Sequence, residues 1–273
     1  MIALSWLLAV CCSVVRASCA FNLVGQSPSP AISPTTSPAL PVLYPVVVPV
    51  WNSNDDTSTP CSDGIWSLSR SSALSEGDEV WQAFDGVSGS VAYNGFSSAA
   101  GKYYADHARD AGDPCTNGGW CPGLPLAGQA YRTQNVDGGA FVDGEFLQIA
   151  HSSVPLRLVS FNLTSWWGDP FFEELNARQV AKFVVLGSDD GGASWTTVFN
   201  QTTALDDAFW GQTDTTPKAF TPATTPGFYK IHRLVITEIR NIKNSWSADW
   251  GADANPFRDS ASLAEWRPVF ALS

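Results

Sequence analysis

The residues best suited to chemistry in this chain are indoles set beside carboxylates. Trp166-Trp167-Gly168-Asp169 and Trp246-Ser247-Ala248-Asp249-Trp250 each carry this pairing, and Trp120 sits between Cys115 and Cys121. A pyranose ring offers apolar C–H faces that stack on aromatic side chains, while polar neighbours bond its hydroxyls. Trp120, Trp166, Trp167, Asp169, Trp246, Asp249 and Trp250 are therefore candidate ligand contacts for a carbohydrate. Most of the 12 Trp must fill a core, and Trp195 and Trp266 are assigned there.

Catalytic constellations are poorly represented. His107, His151 and His232 lie far apart, in no metal-ligand spacing, and His151 and His232 fall in strand-like runs as surface or structural residues. No G-x-S-x-G elbow is present, and no Gly-rich phosphate loop. A glycosidase holds two carboxylates apart across a cleft, whereas Glu173-Glu174 and Asp206-Asp207 are adjacent acids of the kind that water solvates. The expectation is a binding protein with no catalytic residues.

Charge excludes other classes. The formal net charge is −11, and the 15 Lys and Arg are scattered along the chain. Phosphate backbones and anionic membranes require clustered cations, so nucleic acid is excluded as a partner. The sequence does not set the oligomeric state.

The N-terminal segment sets the compartment. Ile2–Val15 is an apolar run too short to span a bilayer comfortably, followed by small residues that offer cleavage after Ala17 or Ala20. Residues 1–20 read as a secretory signal peptide, which predicts a secreted or surface-displayed protein with no membrane insertion after cleavage. Residues 21–60 are a Pro/Ser/Thr-rich linker, SPSPAISPTTSPALP followed by PVLYPVVVPV, whose composition favours extended polyproline II. Cys115 and Cys121 bracket a short loop that a disulfide would close outside the cell. Cleavage after Ala17 keeps Cys19, with Cys19–Cys61 as the default second pair; cleavage after Ala20 leaves Cys61 single. The sequons Asn162-Leu163-Thr164 and Asn200-Gln201-Thr202 carry little weight, since two arise by chance in this length.

What must position these residues is a set of short strands in 61–273. Lys182–Val198 holds two β-branched and aromatic runs around Ser188-Asp189-Asp190-Gly191-Gly192, a strong hairpin signal. Further strands are expected at Ile65–Ser69, Val80–Asp85, Gly144–His151, Leu156–Ser165, Val180–Leu186, Trp195–Gln201, Phe228–Glu238 and Leu263–Ala271. Apolar residues roughly alternate in Phe146–Ile149 and Leu156–Leu163, the period of a half-buried strand. Phe171–Val180 is the one helical candidate, and the stretch between Phe96 and Asp143 reads as a long insertion. The pattern predicts an all-β antiparallel sandwich of jelly-roll type, with Phe84, Leu147, Phe183 and Leu234 filling its inner faces.

The order of motifs carries a resemblance. Trp81-Gln82-Ala83-Phe84-Asp85-Gly86 is followed by Gly144-Glu145-Phe146-Leu147-Gln148-Ile149, then Gly187–Val198, then Tyr229–Thr237, then Ala261–Trp266. The series resembles the discoidin, or coagulation factor 5/8 type C, family of galactose-binding-like jelly rolls. Its form is most similar to versions in algae, protists and large DNA viruses. A departure is the missing Trp after the Asp85-Gly86 pair, a place left to Tyr93 or Phe96.

The resemblance implies a non-catalytic module that binds a glycan or glycoprotein through loops at one end. Its alternatives are a protein–protein adhesion module, or a structural component of a virion or cell-surface layer. It also implies a structural Ca²⁺, held by the carbonyl of Ala83, by Asp85, by Ser90 and by Glu265, hard oxygen donors of the kind that suit this ion.

Overall fold

The computed structural model describes residues 42–43, 61–62, 64–72, 80–86, 95–98, 132–165, 178–211, 215–240 and 261–273. The chain separates into two compact units, Met1–Ala39 and Leu40–Ser273, and every described residue belongs to the second.

Strands account for nearly all the regular structure. In chain order they are β1 (Val42–Leu43), β2 (Cys61–Ser62), β3 (Trp66–Arg70), β4 (Phe96–Ser97), β5 (Arg132–Val136), β6 (Ala140–Asp143) and β7 (Glu145–His151). They continue with β8 (Leu156–Thr164), β9 (Val180–Ser188), β10 (Thr196–Gln201), β11 (Lys218–Phe220), β12 (Ile231–Ile239), β13 (Ser262–Leu263) and β14 (Glu265–Leu272). A single-turn helix, α1, covers Asp207–Trp210. One sheet has six strands in the order β10-β9-β12-β7-β3-β2, and a second has four in the order β1-β14-β8-β11. All pairings in both sheets are antiparallel. The result is the expected antiparallel sandwich, and β1 lies within the Pro-rich stretch.

Period-two burial builds the core. In β7, Glu145, Leu147 and Ile149 are buried while Phe146 and Gln148 are partly exposed. Phe84, Leu147, Phe183 and Leu234 all lie in the main core, each 3% exposed or less. Phe161, Phe183, Phe199 and Phe220 form one aromatic cluster with ring centroids 5.2 to 6.0 Å apart, edge-on or stacked. Trp266 is fully buried in the same core.

Three features differ from expectation. Val80–Ala83 is a 3-10 turn, not the strand expected over Val80–Asp85; Phe84 N–H is accepted by Trp81 O at 2.9 Å. Burial at Val80 and Ala83 follows a three-residue period, which stacks both on one side of a 3-10 turn and sends Phe84 into the core. The stretch read as an insertion ends in a hairpin, β5 and β6, turning through Asp137-Gly138-Gly139. This hairpin joins a second core, outside the six-stranded sheet, where Val136, Val184, Leu186, Trp195 and Val235 are buried together. Trp195 is thus a core residue, but on the outer face. Val180–Ser188 is correspondingly buried on both faces, which removes the alternation its sequence would otherwise show. The expected helix over Phe171–Val180 has its first part outside the described residues, and β9 begins at Val180.

Candidate functional site

One end of the sandwich gathers the strand ends that bound three long segments. Segment 99–131 lies between Ser98 and Arg132, 166–177 between Ser165 and Arg178, and 241–260 between Arg240 and Ala261. Ser98 N–H donates to Ala261 O at 2.9 Å, and Ala261 N–H donates back to Ser98 Oγ at 2.9 Å. Ser262 N–H donates to Arg178 O at 2.9 Å, and Arg240 N–H to Gln179 O at 2.9 Å. Gln179 Nε2–H donates to Ser165 Oγ at 2.6 Å, while its Oε1 accepts from Arg240 Nη1. Bonds between residues this distant in sequence tie both roots of 166–177 and 241–260, and the Ser98 root of 99–131, into one base. Ser98, Ser165, Arg178, Gln179 and Ser262 are buried, so the base is a polar network of low dielectric, which strengthens each bond. Burial lowers the Arg240 pKa to about 10, partly offset by the charge of Asp206.

The expected ligand contacts fall in those segments. Trp120, with Cys115 and Cys121, belongs to 99–131; Trp166, Trp167 and Asp169 belong to 166–177; Trp246, Asp249 and Trp250 belong to 241–260. All of them lie outside the described residues. What the fold establishes is that Ser98 before the first segment, Ser165 and Arg178 around the second, and Arg240 and Ala261 around the third belong to one hydrogen-bonded group.

The expected cation donors are partly described. Ala83 closes the 3-10 turn, Asp85 follows it, and Glu265 opens β14 opposite Thr164 at the same end; Ser90 lies outside the described residues. Glu265 is 1% exposed, and its Oε1 accepts the Gly86 N–H at 3.1 Å. Its Oε2 is buried with no hydrogen-bond partner. Burial pushes the Glu265 pKa up to about 7; the Gly86 N–H opposes this, the charge of Asp85 adds to it, and Arg267 opposes it. A buried carboxylate with a bare oxygen beside a second carboxylate suits a hard divalent cation, which would neutralise both. Among the described residues no group of three His, Cys, Asp or Glu could hold a metal ion, and Asp85 and Glu265 stand as a pair of acids.

A feature that sequence reading passed over stands on the β5–β6 hairpin, against the outer face of the six-stranded sheet. Arg132 Nε and Nη2 donate to Asp143 Oδ1 and Oδ2 at 2.7 and 2.8 Å, and the guanidinium lies 3.9 Å from the ring centre of Phe141. The turn signal Asp137-Gly138-Gly139 was available to find it. Beneath the hairpin, Arg233 is held between the rings of Phe146 and Trp195 at 4.0 and 4.2 Å. It donates to Gln148 Oε1 from Nε and Nη2, at 2.9 and 2.6 Å, and to Thr133 Oγ1 from Nη1 at 2.9 Å. Its pKa is lowered to about 10 by burial.

His151 and His232 have structural surroundings, while His107 lies outside the described residues. His151 Nδ1 accepts the N–H groups of Ser153 and Val154 at 3.3 and 3.2 Å and so holds a turn. His232 is buried between Tyr229 and Phe270, with ring centroids 6.0 and 4.7 Å away.

Comparison with known proteins gives structures only: no family model and no curated protein sequence matches. A family 32 carbohydrate-binding module of Clostridium perfringens NanJ, in complex with galactose, is 11% identical. The alignment covers 77% of this chain and 98% of that one, with a TM-score of 0.40. An F5/8 type C domain from Bacteroides fragilis is 10% identical over 79% of this chain and 97% of that chain, with a TM-score of 0.40. CpGH89CBM32-5 from Clostridium perfringens, in complex with GalNAc-β-1,3-galactose, is 13% identical over 78% and 100%, with a TM-score of 0.41. These three are bacterial, and the likeness to algal, protist and viral forms gains no support from them.

Proposed function

We propose that this chain is a secreted or surface-displayed, non-catalytic carbohydrate-binding module, whose ligand site is built by segments 99–131, 166–177 and 241–260. The observation that carries this reading is the bonded base formed by Ser98, Ser165, Arg178, Gln179, Arg240 and the Ala261–Ser262 pair, which joins the roots of the segments holding Trp120, Trp166, Trp167, Asp169, Trp246, Asp249 and Trp250. Stacking faces brought in on separate loops from a rigid base are a suitable construction for gripping a sugar, because the scaffold positions them before the ligand arrives. Residues 1–20 are its signal and 21–60 the linker, in which Val42–Leu43 adds a strand to the four-stranded sheet and the residues before it act as the spacer, with Cys115–Cys121 closing the first segment.

A Ca²⁺ held by Asp85 and Glu265, with the Ala83 carbonyl and Ser90 as further oxygens, would supply electrostatic neutralisation. It would pin the turn after Ala83 to the first residue of β14. Asp85 and Glu265 position the turn; no bond-making is asked of them.

A glycan array with the full secreted chain tests the reading. Saturable binding that is lost in Trp246→Ala or Trp250→Ala supports it. A blank array accompanied by self-association in solution points to a structural packing unit, and binding to a protein ligand unaffected by free sugars points to adhesion.

A further inference from the structure

We propose that Phe141, framed by the Arg132–Asp143 pair, is a stacking platform for a neutral hexopyranose residue of the bound glycan. The inference rests on the carbohydrate-binding reading above and adds to it a sugar class and three contact residues. Among the described residues the exposed large hydrophobics are Ile65, Phe141 and Val159, so Phe141 is the aromatic one, at 56% exposure. A single exposed apolar residue is ordinary. The frame around this one is not.

The guanidinium of Arg132 lies 3.9 Å from the ring centre of Phe141, and the residue is nevertheless 56% exposed to water. Asp143 grips Arg132 through two parallel bonds, at 2.7 and 2.8 Å, so the cation is fixed in place. That leaves three of the five guanidinium N–H donors, and spare carboxylate lone pairs, beside an apolar face. Vicinal sugar hydroxyls match such a donor–acceptor pair, and the C–H face of the same ring matches Phe141. The two charges cancel, and the chain carries −11 overall, so a neutral hexose fits better than a uronate or sialate.

The platform is also rigid. Asn135 Nδ2 donates to Ala193 O at 3.0 Å, and Asp137 accepts from Thr197 N–H at 2.9 Å and Oγ1–H at 2.6 Å. Thr133 accepts from Arg233 at 2.9 Å. These bonds fasten β5 and the turn after it to the sheet, which cuts the ordering entropy a ligand would otherwise have to supply. Arg132 directly follows segment 99–131, and only Gly144 separates Asp143 from β7, which puts the pair at the end of the hairpin away from the Asp137-Gly138-Gly139 turn.

The test is an array of immobilised neutral hexose oligosaccharides and their uronate and sialylated counterparts, read with the full chain and its variants. Phe141→Ala and Arg132→Ala are expected to weaken binding to neutral glycans at least tenfold with unchanged melting, while Phe141→Trp retains it. Wild-type binding by both alanine variants, alongside loss in Trp246→Ala, overturns the platform and leaves the carbohydrate-binding reading standing. A blank array for the wild-type chain overturns both, and preference for the acidic glycans overturns the sugar class. Should an alanine variant misfold, Phe141→Trp still decides by difference: neutral oligosaccharide must shift its emission beyond the shift the 12 native Trp give in the wild-type chain, and binding without that additional shift removes Phe141 from the site.

Discussion

The ring of Tyr229 occupies the space that a side chain at Gly187 would need. A Cβ built on Gly187 would lie 2.3 Å from Tyr229 Cδ2 and 2.5 Å from Cγ. Gly187 opens the hairpin motif and Tyr229 opens the strand motif that follows it, so two motifs far apart in sequence are the two halves of one contact. Tyr229 also exchanges backbone hydrogen bonds with Leu156 at 2.8 and 2.9 Å, which ties the six-stranded sheet to the start of β8.

Gly187→Ala is expected to destabilise the fold by about 2–3 kcal/mol, the ordinary cost of overpacking. Combined with Tyr229→Ala, it should cost much less than the sum of the two, because the smaller residue vacates the disputed space. Urea denaturation of the single and double variants checks this; strict additivity would show that the ring and the missing Cβ do not compete.

Arg233 fastens the second core. Lysine has no planar face to lie between Phe146 and Trp195, and it cannot bond Gln148 and Thr133 with a fixed fork. Arg233→Lys is expected to cost roughly 2 kcal/mol, the scale of a desolvated cation–π contact. The tryptophan emission should move to longer wavelength as the hairpin loosens around Trp195, a shift that Trp195→Phe in the same background removes. An unchanged spectrum and midpoint would mean that the apolar residues alone hold the β5–β6 hairpin.

His232 predicts acid sensitivity. Burial holds its pKa at about 3, against an ordinary 6.5, so the folded state keeps it neutral while the unfolded chain takes up a proton. The folded-state pKa is depressed, so this contribution is intact above pH 6.5 and is lost as pH falls toward 3, by about 1.4 kcal/mol for each pH unit. His232→Phe should flatten that part of the stability–pH curve between pH 6.5 and 3. Identical slopes in wild type and variant, measured by denaturant midpoints, would place the acid sensitivity elsewhere.

Calcium should act through Glu265. At 100 times its dissociation constant a ligand of the folded state adds about 2.7 kcal/mol, a rise readily seen in a melt. The wild-type transition is expected to rise with added Ca²⁺ and fall with excess chelator. Glu265→Gln should ignore both and melt in chelator no lower than wild type, since it removes a buried charge. A wild-type melt indifferent to chelator would leave Asp85 and Glu265 as a plain turn clasp.

The hairpin at Gly187–Val198 was legible because its chemistry is local. Asp190 accepts from Ser188 Oγ at 2.8 Å and from Ser194 N–H and Oγ at 3.0 and 2.5 Å; Trp195 Nε1–H closes on Gly192 O at 3.0 Å. Those hydroxyl and N–H donors hold the Asp190 carboxyl far below the usual carboxylate range. Every partner lies within seven residues of Ser188, so the turn can be read from spacing alone. Gly144 was legible only as part of a motif. Its reason is distant: with φ at +155° its backbone presses on β12, where a Cβ would meet Ile236 O at 2.1 Å.

Sequence alone determined the antiparallel sandwich, its long central strands β7, β8, β9, β12 and β14, and the residues of its inner faces. Alternation and turn chemistry act over a few residues, and Phe84, Leu147, Phe183 and Leu234 obey them. Only the tertiary structure decided that Trp195 packs outward into a second core, that Arg132 and Phe141 stand together, and that Ser98, Ser165, Gln179 and Arg240 share one end. Each of those depends on which strands pair and in what register. That choice is made by burial across the whole sheet, and no local pattern encodes it.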